Sequence, residues 1–339
     1  MGDNAHEQDR EQNDHSQASV SRRSFVISVA AVGAAATLPG RLAVSEVSGA
    51  ETDRAAASTC GSLSVVKAPT SGGELTDVAF LSANDWWAVG DVGAALHANR
   101  TLIVRFNGSA WSAVASPNQG SANNGLNAVS MISSAGWAVG YYQAGGYQPL
   151  ALHWNGTQWS LNLPAAFPSD SLFTGVDTLA DGSAWAVGFQ TTKSGTRSTL
   201  IEHASGGTWT QVASPNVAGS TDNSLMAISG TQATGLWAVG YWLSPTGLRP
   251  LMLRYNTTKP SPSWVMVGGV PAPGAIDTVL TAVNVRTASD VWAVGYYNGG
   301  SADPAGLAAT PTSWSSDEPE SADTTVVHAV PSKCTTSVW

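Results

Sequence analysis

The 339-residue sequence is poor in charged side chains, in basic side chains and in cysteine. Charged residues make up 12% of the chain, against about 25% in a typical globular protein. With 15 Lys and Arg against 24 Asp and Glu, the net charge is −9, and no basic stripe is available to neutralise nucleic-acid phosphates. Two cysteines exclude a disulfide-dense miniprotein. We therefore expect no nucleic-acid partner and no charged disordered chain.

Long apolar runs are also lacking. The apolar run at residues 26–38 is shorter than the roughly 20 residues that a membrane-spanning helix needs. We expect no transmembrane segment in the mature protein. Apolar residues nevertheless make up 43% of the chain, so a sizeable core can form.

An internal repeat is the strongest feature that the sequence does contain. The tetrapeptide Trp-Ala-Val-Gly occurs five times, at spacings of 48 to 55 residues. The five copies begin at Trp87, Trp137, Trp185, Trp237 and Trp292. Self-similarity at such a period indicates a repeat architecture rather than a chance motif.

Each repeat contains four short segments of the strand type, which we name A to D in chain order. The tetrapeptide lies in segment B, and segments A and C flank it with apolar, β-branched residues. Segment D opens with a tryptophan in four repeats: Trp111, Trp159, Trp209 and Trp264. Asn107-Gly108 and Asn155-Gly156 predict tight hairpins between C and D. Four strands in about 50 residues predict an all-β fold, a β-propeller of four-stranded antiparallel blades.

Five blades are favoured, closed into a ring by an N-terminal strand. Residues 63–69 align with the D segment at residues 111–117 and have no A, B or C segment before them. We predict that they pair beside the fifth repeat, because a ring needs its last blade completed. The propeller then spans residues 62–297, and residues 298–339 form a degenerate last blade and an acidic, partly disordered tail.

The repeat pattern resembles that of kelch-type propellers. The shared features are Val-Gly after strand B, an aromatic residue near the end of strand C and a tryptophan that opens strand D. The pattern is most similar to the Trp-Ala-Val-Gly arrays of exported bacterial proteins, over roughly residues 62–297. One glycine stands where kelch repeats have a pair. The resemblance implies a propeller that works outside the cytoplasm.

The N-terminus is similar to a twin-arginine export signal. A polar lead is followed by Ser21-Arg22-Arg23-Ser24-Phe25 and then by the apolar run. The alternative is a chance arginine pair before a buried helix. We predict a signal and disordered lead over residues 1–50 and a short leader over 51–61, which places the mature protein outside the cell or on its surface.

The two cysteines lie near the two ends of the predicted propeller. After export, Cys60 and Cys334 can form one disulfide that joins the termini. The alternative is two unpaired thiols. We expect the chain to be a monomer.

Aromatic residues at the end of strand B are the best indication of a ligand. Loops B–C and D–A are long and meet at one end of each blade, which we name the long-loop face; binding residues concentrate on such loops. The candidate ligand-binding residues are Tyr141, Tyr142, Tyr147, Tyr241, Trp242, Tyr296 and Tyr297. Exposed rings with polar neighbours suit a glycan or protein surface. The alternative is that these rings pack between blades.

A recurring basic residue in strand C has two interpretations. The same position holds Arg105, His153, His203 and Arg254. These residues form a ring that binds an anion, or each one stacks on a neighbouring aromatic side chain or pairs locally with a backbone carbonyl group. Because all four occupy the same structural position, stacking is favoured.

Catalytic patterns are missing, and the sequence predicts no catalytic residues, no metal ligands and no cofactor. A carboxylate pair for glycoside cleavage needs two neighbouring acids, and Asp77, Asp177, Asp277 and Asp290 lie in or near the innermost strands. We therefore favour a non-catalytic binding protein that recognises a glycan or a protein. The alternatives are a sialidase-like hydrolase on the same scaffold and a structural domain of the cell envelope. A sialidase-like site would need clustered arginines.

Overall fold

A computed structural model describes residues 73–93, 98–167, 170–231, 235–256, 262–268, 277–288 and 290–298. These residues form antiparallel strands and the turns and loops that join them. The export signal, the leader, the closing strand at residues 63–69, both cysteines and the acidic tail lie outside the described residues. Predictions about them therefore stay predictions.

The strands form five sheets in chain order. Sheet 1 consists of β1 (Gly73–Ser82), β2 (Asp85–Val92), β3 (Arg100–Phe106) and β4 (Trp111–Val114). Sheet 2 consists of β5 (Asn124–Met131), β6 (Gly136–Gln143), β7 (Tyr147–Trp154) and β8 (Trp159–Leu161). Sheet 3 consists of β9 (Ser171–Thr178), β10 (Ala184–Thr191), β11 (Arg197–Ser205) and β12 (Thr208–Gln211). Sheet 4 consists of β13 (Asn223–Thr231), β14 (Gly235–Ser244), β15 (Gly247–Asn256) and β16 (Ser263–Met266). Sheet 5 consists of β17 (Asp277–Thr287) and β18 (Asp290–Asn298).

Consecutive sheets pack against one another around their first strands. β5 packs against β1, β9 against β5, β13 against β9 and β17 against β13. The fourth strand of each complete sheet packs mainly against the third strand of its own sheet. The sheets thus meet at their first strands and diverge outwards, as propeller blades do. The predicted all-β fold of four-stranded antiparallel blades is confirmed, while the five-bladed closed ring stays a prediction.

The tetrapeptide is the central packing element of each sheet. In sheets 1 to 4 its Trp and Val side chains join a cluster shared with the following sheet, as Trp87 and Val89 do with Leu126. Its Ala faces the preceding sheet, as Ala138 does in the same cluster. The first four tryptophans are at most 5% exposed. These four tryptophans are therefore core residues, whereas Trp292 in sheet 5 is only partly buried.

The glycine of the tetrapeptide faces a β-bulge in the first strand. In sheet 1 the register slips between Leu75 and Asp77, so that Thr76 is an extra residue opposite Gly90. The same slip occurs in the first strands of the other four sheets. A Cβ at Gly90 would lie 1.9 Å from the carbonyl oxygen of Glu74. The bulge therefore brings the backbones of the first two strands so close that only glycine fits.

The predicted Asn-Gly hairpins are present between the third and fourth strands. Gly108 and Gly156 have φ values of 92° and 94°, in the left-handed region that favours glycine. The carboxamide oxygen of Asn107 accepts hydrogen bonds from the N–H groups of Ser109 and Ala110. Asn155 does the same in sheet 2. The asparagine side chain thus stabilises the turn directly.

Within the described part of the chain, no helix has the length and apolar content that crossing a bilayer requires.

Candidate ligand-binding face

The predicted binding aromatics lie in strands rather than in loops. Tyr141 and Tyr142 belong to β6, Tyr241 and Trp242 to β14, and Tyr296 and Tyr297 to β18. Pairing of β6 with β7 continues to Gln143 and Tyr147, so the tip of this hairpin is only residues 144–146. The long B–C loops predicted in sheets 2, 3 and 4 are therefore wrong. The first residue beyond the Gly in each of these strands, Tyr141, Phe189 or Tyr241, is aromatic, a type that favours continued strand pairing.

Tyr141 and Tyr147 form an aromatic pair at the end of sheet 2. Their rings meet edge to face with centroids 5.2 Å apart, a favoured geometry for aromatic pairs. Tyr141 crosses over Gly125 on the neighbouring strand, where a Cβ would lie 2.8 Å from its ring. Tyr147 remains 41% exposed. The Tyr147 ring is thus an open aromatic surface, and the partly buried Tyr141 ring packs against it.

Polar groups of the next sheet surround this pair. The N–H of Tyr147 donates to Asp170 Oδ1 at 2.8 Å. The N–H of Thr191 in sheet 3 donates to the Asp170 carbonyl oxygen at 2.7 Å. The loop before β9 is therefore tied to both hairpins, and its carboxylate lies beside the exposed tyrosine.

Tyr142 and Trp242 face the other way, toward the preceding sheet. Tyr142 packs against the cluster shared by sheets 1 and 2, and Trp242 against the one shared by sheets 3 and 4. For these two residues the packing alternative applies, because successive side chains along a strand point to opposite faces. Most of their ring surface is used within the protein.

Tyr241 and Tyr296 lie at the corresponding positions of sheets 4 and 5. Burial, followed by the electrostatic influence of Tyr241 and Asp277, raises the pKa of Tyr296 above its usual value. Asp277 lies two residues before Val279, the cross-strand partner of Tyr296, and its Oδ1 accepts a hydrogen bond from the N–H of Leu248 in sheet 4. The side chain of Tyr297 lies outside the described residues.

A repeated polar clasp joins three of the four pairs of consecutive sheets on this face. A residue just before the first strand of a sheet, or the first residue of that strand, accepts a hydrogen bond from an N–H group at or next to the start of the third strand of the preceding sheet. Asn123 Oδ1 accepts from the N–H of Asn99, and Asp277 Oδ1 accepts from the N–H of Leu248, both at 2.8 Å. Asp170 occupies the same position in sheet 3. Sequence reasoning missed this clasp, although an Asn or Asp recurs before segment A and could have been found.

The basic residues of the third strand stack on the tetrapeptide tryptophans. Each one is the cross-strand neighbour of a tryptophan in the second strand. Arg105 and Arg254 lie 4.7 and 5.6 Å from the ring centres of Trp87 and Trp237. His153 and His203 lie 4.5 and 4.4 Å from those of Trp137 and Trp185. The stacking interpretation is confirmed, and burial lowers the pKa of both histidines.

The arginines of the described residues are engaged at separate places. Arg105 forms a bidentate pair with Asp85, at 2.8 and 2.9 Å. Arg197 lies 4.4 Å from the Phe189 ring centre and 3.6 Å from Asp222. The remaining partners are the Gly120 carbonyl oxygen for Arg100, Thr246 and the Leu248 carbonyl oxygen for Arg249, and Asp290 for Arg286. No arginine cluster of the sialidase type is assembled among them.

Three of the four acids considered for glycoside cleavage accept a backbone N–H of a neighbouring sheet, and Asp290 is the exception. Asp77 Oδ2 accepts from the N–H of Val129 at 2.8 Å, and Asp177 Oδ2 from that of Gly230 at 2.7 Å. Burial raises the pKa of each to about 6. Asp290 binds Arg286. Asp77, Asp177 and Asp277 occupy three different positions of the repeat. No group of three metal-ligating side chains occurs within the described ranges.

A groove of about 330 Å³ lies between sheets 1 and 2 at their outer edge. Residues 114–117 line one side, and Trp154, Thr157, Gln158 and Trp159 line the other. Both tryptophans are at most 9% exposed and pack against each other and against Trp87. The groove therefore offers little aromatic surface to a ligand, unlike the exposed Tyr147.

Comparison with known proteins leaves the family open. No family model matches the chain, and no curated protein matches it. Among solved structures, the chain is similar to a Hadza microbial sialidase, with 14% identity, a TM-score of 0.41, and coverage of 66% of this chain and 56% of that one. It is similar to the six-bladed β-propeller lectin of Aleuria aurantia, with 14% identity, a TM-score of 0.42, and coverage of 67% and 72%. It is also similar to the Trypanosoma rangeli sialidase, with 11% identity, a TM-score of 0.45, and coverage of 67% and 44%. The chain thus spans about half of the length of the two sialidases.

Proposed function

We propose that this chain is an exported, non-catalytic binding protein that recognises a glycan through the long-loop face of its propeller. The observation that carries the proposal is the Tyr141–Tyr147 pair, whose outer ring is exposed beside the carboxylate of Asp170. A flat ring provides contact area at a low cost in conformational entropy. A neighbouring carboxylate can accept hydrogen bonds from sugar hydroxyl groups.

The repeat supports the same proposal at a second place on this face. Tyr241 and Tyr296 come from equivalent positions of sheets 4 and 5, with Asp277 nearby. Repeated sites of modest affinity raise avidity toward a polymer that carries many copies of one sugar. A polysaccharide or a densely glycosylated surface is therefore the ligand class that fits best.

The first experiment screens the full chain on a glycan array and, in parallel, on a panel of glycoside hydrolase substrates. We expect binding to a group of related glycans and no turnover. Turnover would overturn the non-catalytic part of the proposal. Binding to proteins without glycans would overturn the ligand class, and silence in both screens would favour a structural role in the cell envelope.

The second experiment tests the tyrosine pair on a glycan found in the screen. Tyr147→Ala should weaken binding about tenfold, or about 1.4 kcal/mol, as is usual for an aromatic contact residue. Tyr147→Phe is the matched control, because it keeps the ring and removes only the hydroxyl. Equal binding by the alanine variant and the unaltered chain would place the site elsewhere.

A further inference from the structure

Three kinds of contact recur in the joints between consecutive sheets, and the joint between sheets 4 and 5 lacks the second kind. The first contact is apolar. The Val of a tetrapeptide packs in one cluster with the residue that precedes the bulge in the next sheet. The pairs are Val89 with Leu126, Val139 with Phe173, Val187 with Leu225, and Val239 with Leu280.

The second contact is a hydrogen bond from the bulge residue to the next sheet. Thr76 Oγ1 lies 2.6 Å from the carbonyl oxygen of Leu126, and Thr174 Oγ1 lies 2.7 Å from that of Leu225. In sheet 2 the carboxamide of Asn127 donates to the carbonyl oxygen of Phe173 at 2.6 Å. The bulge thus supplies one side chain to each of these joints.

The third contact is a side-chain oxygen that accepts a backbone N–H of the next sheet. Ser130 Oγ accepts from Thr178 at 2.9 Å, and Ser229 Oγ accepts from Val285 at 3.1 Å. In sheet 3 the acceptor at this position is Asp177. Sheet 1 has Ala79 there and uses Asp77 instead.

Sheet 1 and sheet 5 each present one half of such a joint, and the side chains of these halves are exposed. The side of sheet 5 that would face a following sheet, its trailing face, presents Thr281, Asn284 and Val294, all of them exposed. Val294 is 40% exposed, whereas the equivalent valines of the other sheets are fully buried. The hydroxyl of Thr281, a bulge residue, lies 3.4 Å from the Val294 carbonyl oxygen within its own sheet.

The side of sheet 1 that would face a preceding sheet, its leading face, presents the matching half. Leu75, Val78 and Phe80 are 40%, 37% and 53% exposed. At the position of Leu75, the other four sheets carry Leu or Phe that is at most 2% exposed. Contiguous apolar side chains at such a place indicate an interaction surface.

We propose that the trailing face of sheet 5 binds the leading face of sheet 1 of the same chain and closes the array with a fifth joint. Val294 packs against Leu75, Thr281 donates to the carbonyl oxygen of Leu75, and Asn284 accepts the N–H of Phe80. Each of these contacts is the repeat equivalent of a contact in the other joints.

The chain itself favours this occupant over a second copy. Both halves of the joint belong to one chain, so their effective concentration is high. The same contact between copies would be head-to-tail, which leads to open chains unless the rotation closes. Residues 63–69, which resemble a fourth strand, precede β1 closely enough to complete sheet 5. Leu63 lies 10 residues before Gly73, and Trp111 lies 13 before Asn124.

A disulfide trap tests this joint in the full mature chain. Leu75→Cys and Val294→Cys are introduced together in a background with Cys60→Ser and Cys334→Ser. Both positions are exposed in the described structure, so the substitutions leave the other joints intact. Met266→Cys, at 41% exposure, replaces Val294→Cys in the control pair.

Mild oxidation should remove both titratable thiols of the Leu75–Val294 pair at the mass of a single chain, while the control pair keeps its thiols. A disulfide-linked dimer would overturn the proposal in favour of a second copy. Two free thiols in a chain with an unchanged circular dichroism spectrum would overturn it outright.

A second measurement tests the same joint in case the double-cysteine variant fails to fold. In the otherwise unaltered chain, the amide of Phe80 should be protected from hydrogen exchange, and Asn284→Ala should speed its exchange at least about fivefold, as expected for loss of about 1 kcal/mol. Asn284→Asp is the conservative control and should keep the protection. Equal exchange in all three proteins would also overturn the proposal.

Discussion

Glu202 is a charged residue at an apolar position of the repeat. It lies in the third strand of sheet 3, between Ala186 and Gln211, where the other complete sheets carry fully buried Val104, Leu152 and Leu253. It is 3% exposed, and within the described residues its Oε2 has no hydrogen-bond partner. Burial raises the pKa of this carboxyl to about 7, because the charged form is poorly solvated there.

Replacing Glu202 with Leu should stabilise the protein at alkaline pH. In the unaltered chain the folded state holds a proton that the unfolded state has lost, so the free energy of unfolding falls as pH rises through about 7. The variant lacks this fall and should gain about 1–3 kcal/mol at about pH 8, the cost of an unsatisfied buried polar group. Urea unfolding at about pH 6 and pH 8 measures the difference.

Above about pH 6, the pH dependence of the free energy of unfolding reports on Glu202 rather than on two other buried acids. Asp77 and Asp177, with pKa values raised to about 6, cause a similar fall at lower pH. Glu202→Gln is the control that removes the titration without adding apolar contact. An unaltered protein equally stable at both pH values would contradict the argument.

At the scale of the element, the bulge and the glycine opposite to it depend on each other. The bulge turns an extra side chain toward the next sheet, and the glycine makes room for the displaced backbone. At Gly188 an added Cβ would lie 2.0 Å from the carbonyl oxygen of Leu172. The sheet can accept it only by breaking the bulge and its contact.

Gly188→Ala should therefore destabilise the fold by about 3 kcal/mol or slightly more, near the upper end for overpacking, because backbone must move. Gly268→Ala is the matched control, since its Cβ would meet nothing within 4 Å and its φ suits any residue. Thermal unfolding of both variants measures the difference. Similar melting temperatures would show that the strands separate at low cost.

The sequence predicted the elements well because their signals are local. Alternation, β-branched residues and Asn-Gly turns indicate strands and hairpins without knowledge of the neighbours. The bulge was not predictable, since Thr76 does not differ from an ordinary strand residue until its pairing partner is known. The burial of Glu202 and the orientation of Tyr142 were not predictable for the same reason, because each depends on the adjacent sheet.

At the scale of the molecule, the repeat predicted the radial packing of sheets, and the comparisons with solved structures do not add a function. The candidate site was predicted in part. Tyr141 and Tyr147 lie together, whereas Trp242 packs against the core. Which aromatic side chain stays exposed depends on how consecutive sheets meet, and the spacing along the chain does not encode this.

Export is the prediction that belongs to the whole chain. Arg22→Lys together with Arg23→Lys should strongly reduce the share of protein found outside the cytoplasm, because the paired arginines are the part of the signal that the export route reads. Arg41→Lys, beyond the apolar run, is the control. Cell fractionation measures the outcome. Undiminished export of the double variant would remove the basis for an extracellular role.

The fourth joint is built differently from the first three. Its bulge residue is Met226, which has no proton to donate to the carbonyl oxygen of Leu280. Ser229 still accepts the N–H of Val285 there. Pulling the array of described sheets apart from its two ends would therefore open this joint first, so that sheet 5 separates while sheets 1 to 4 stay packed together.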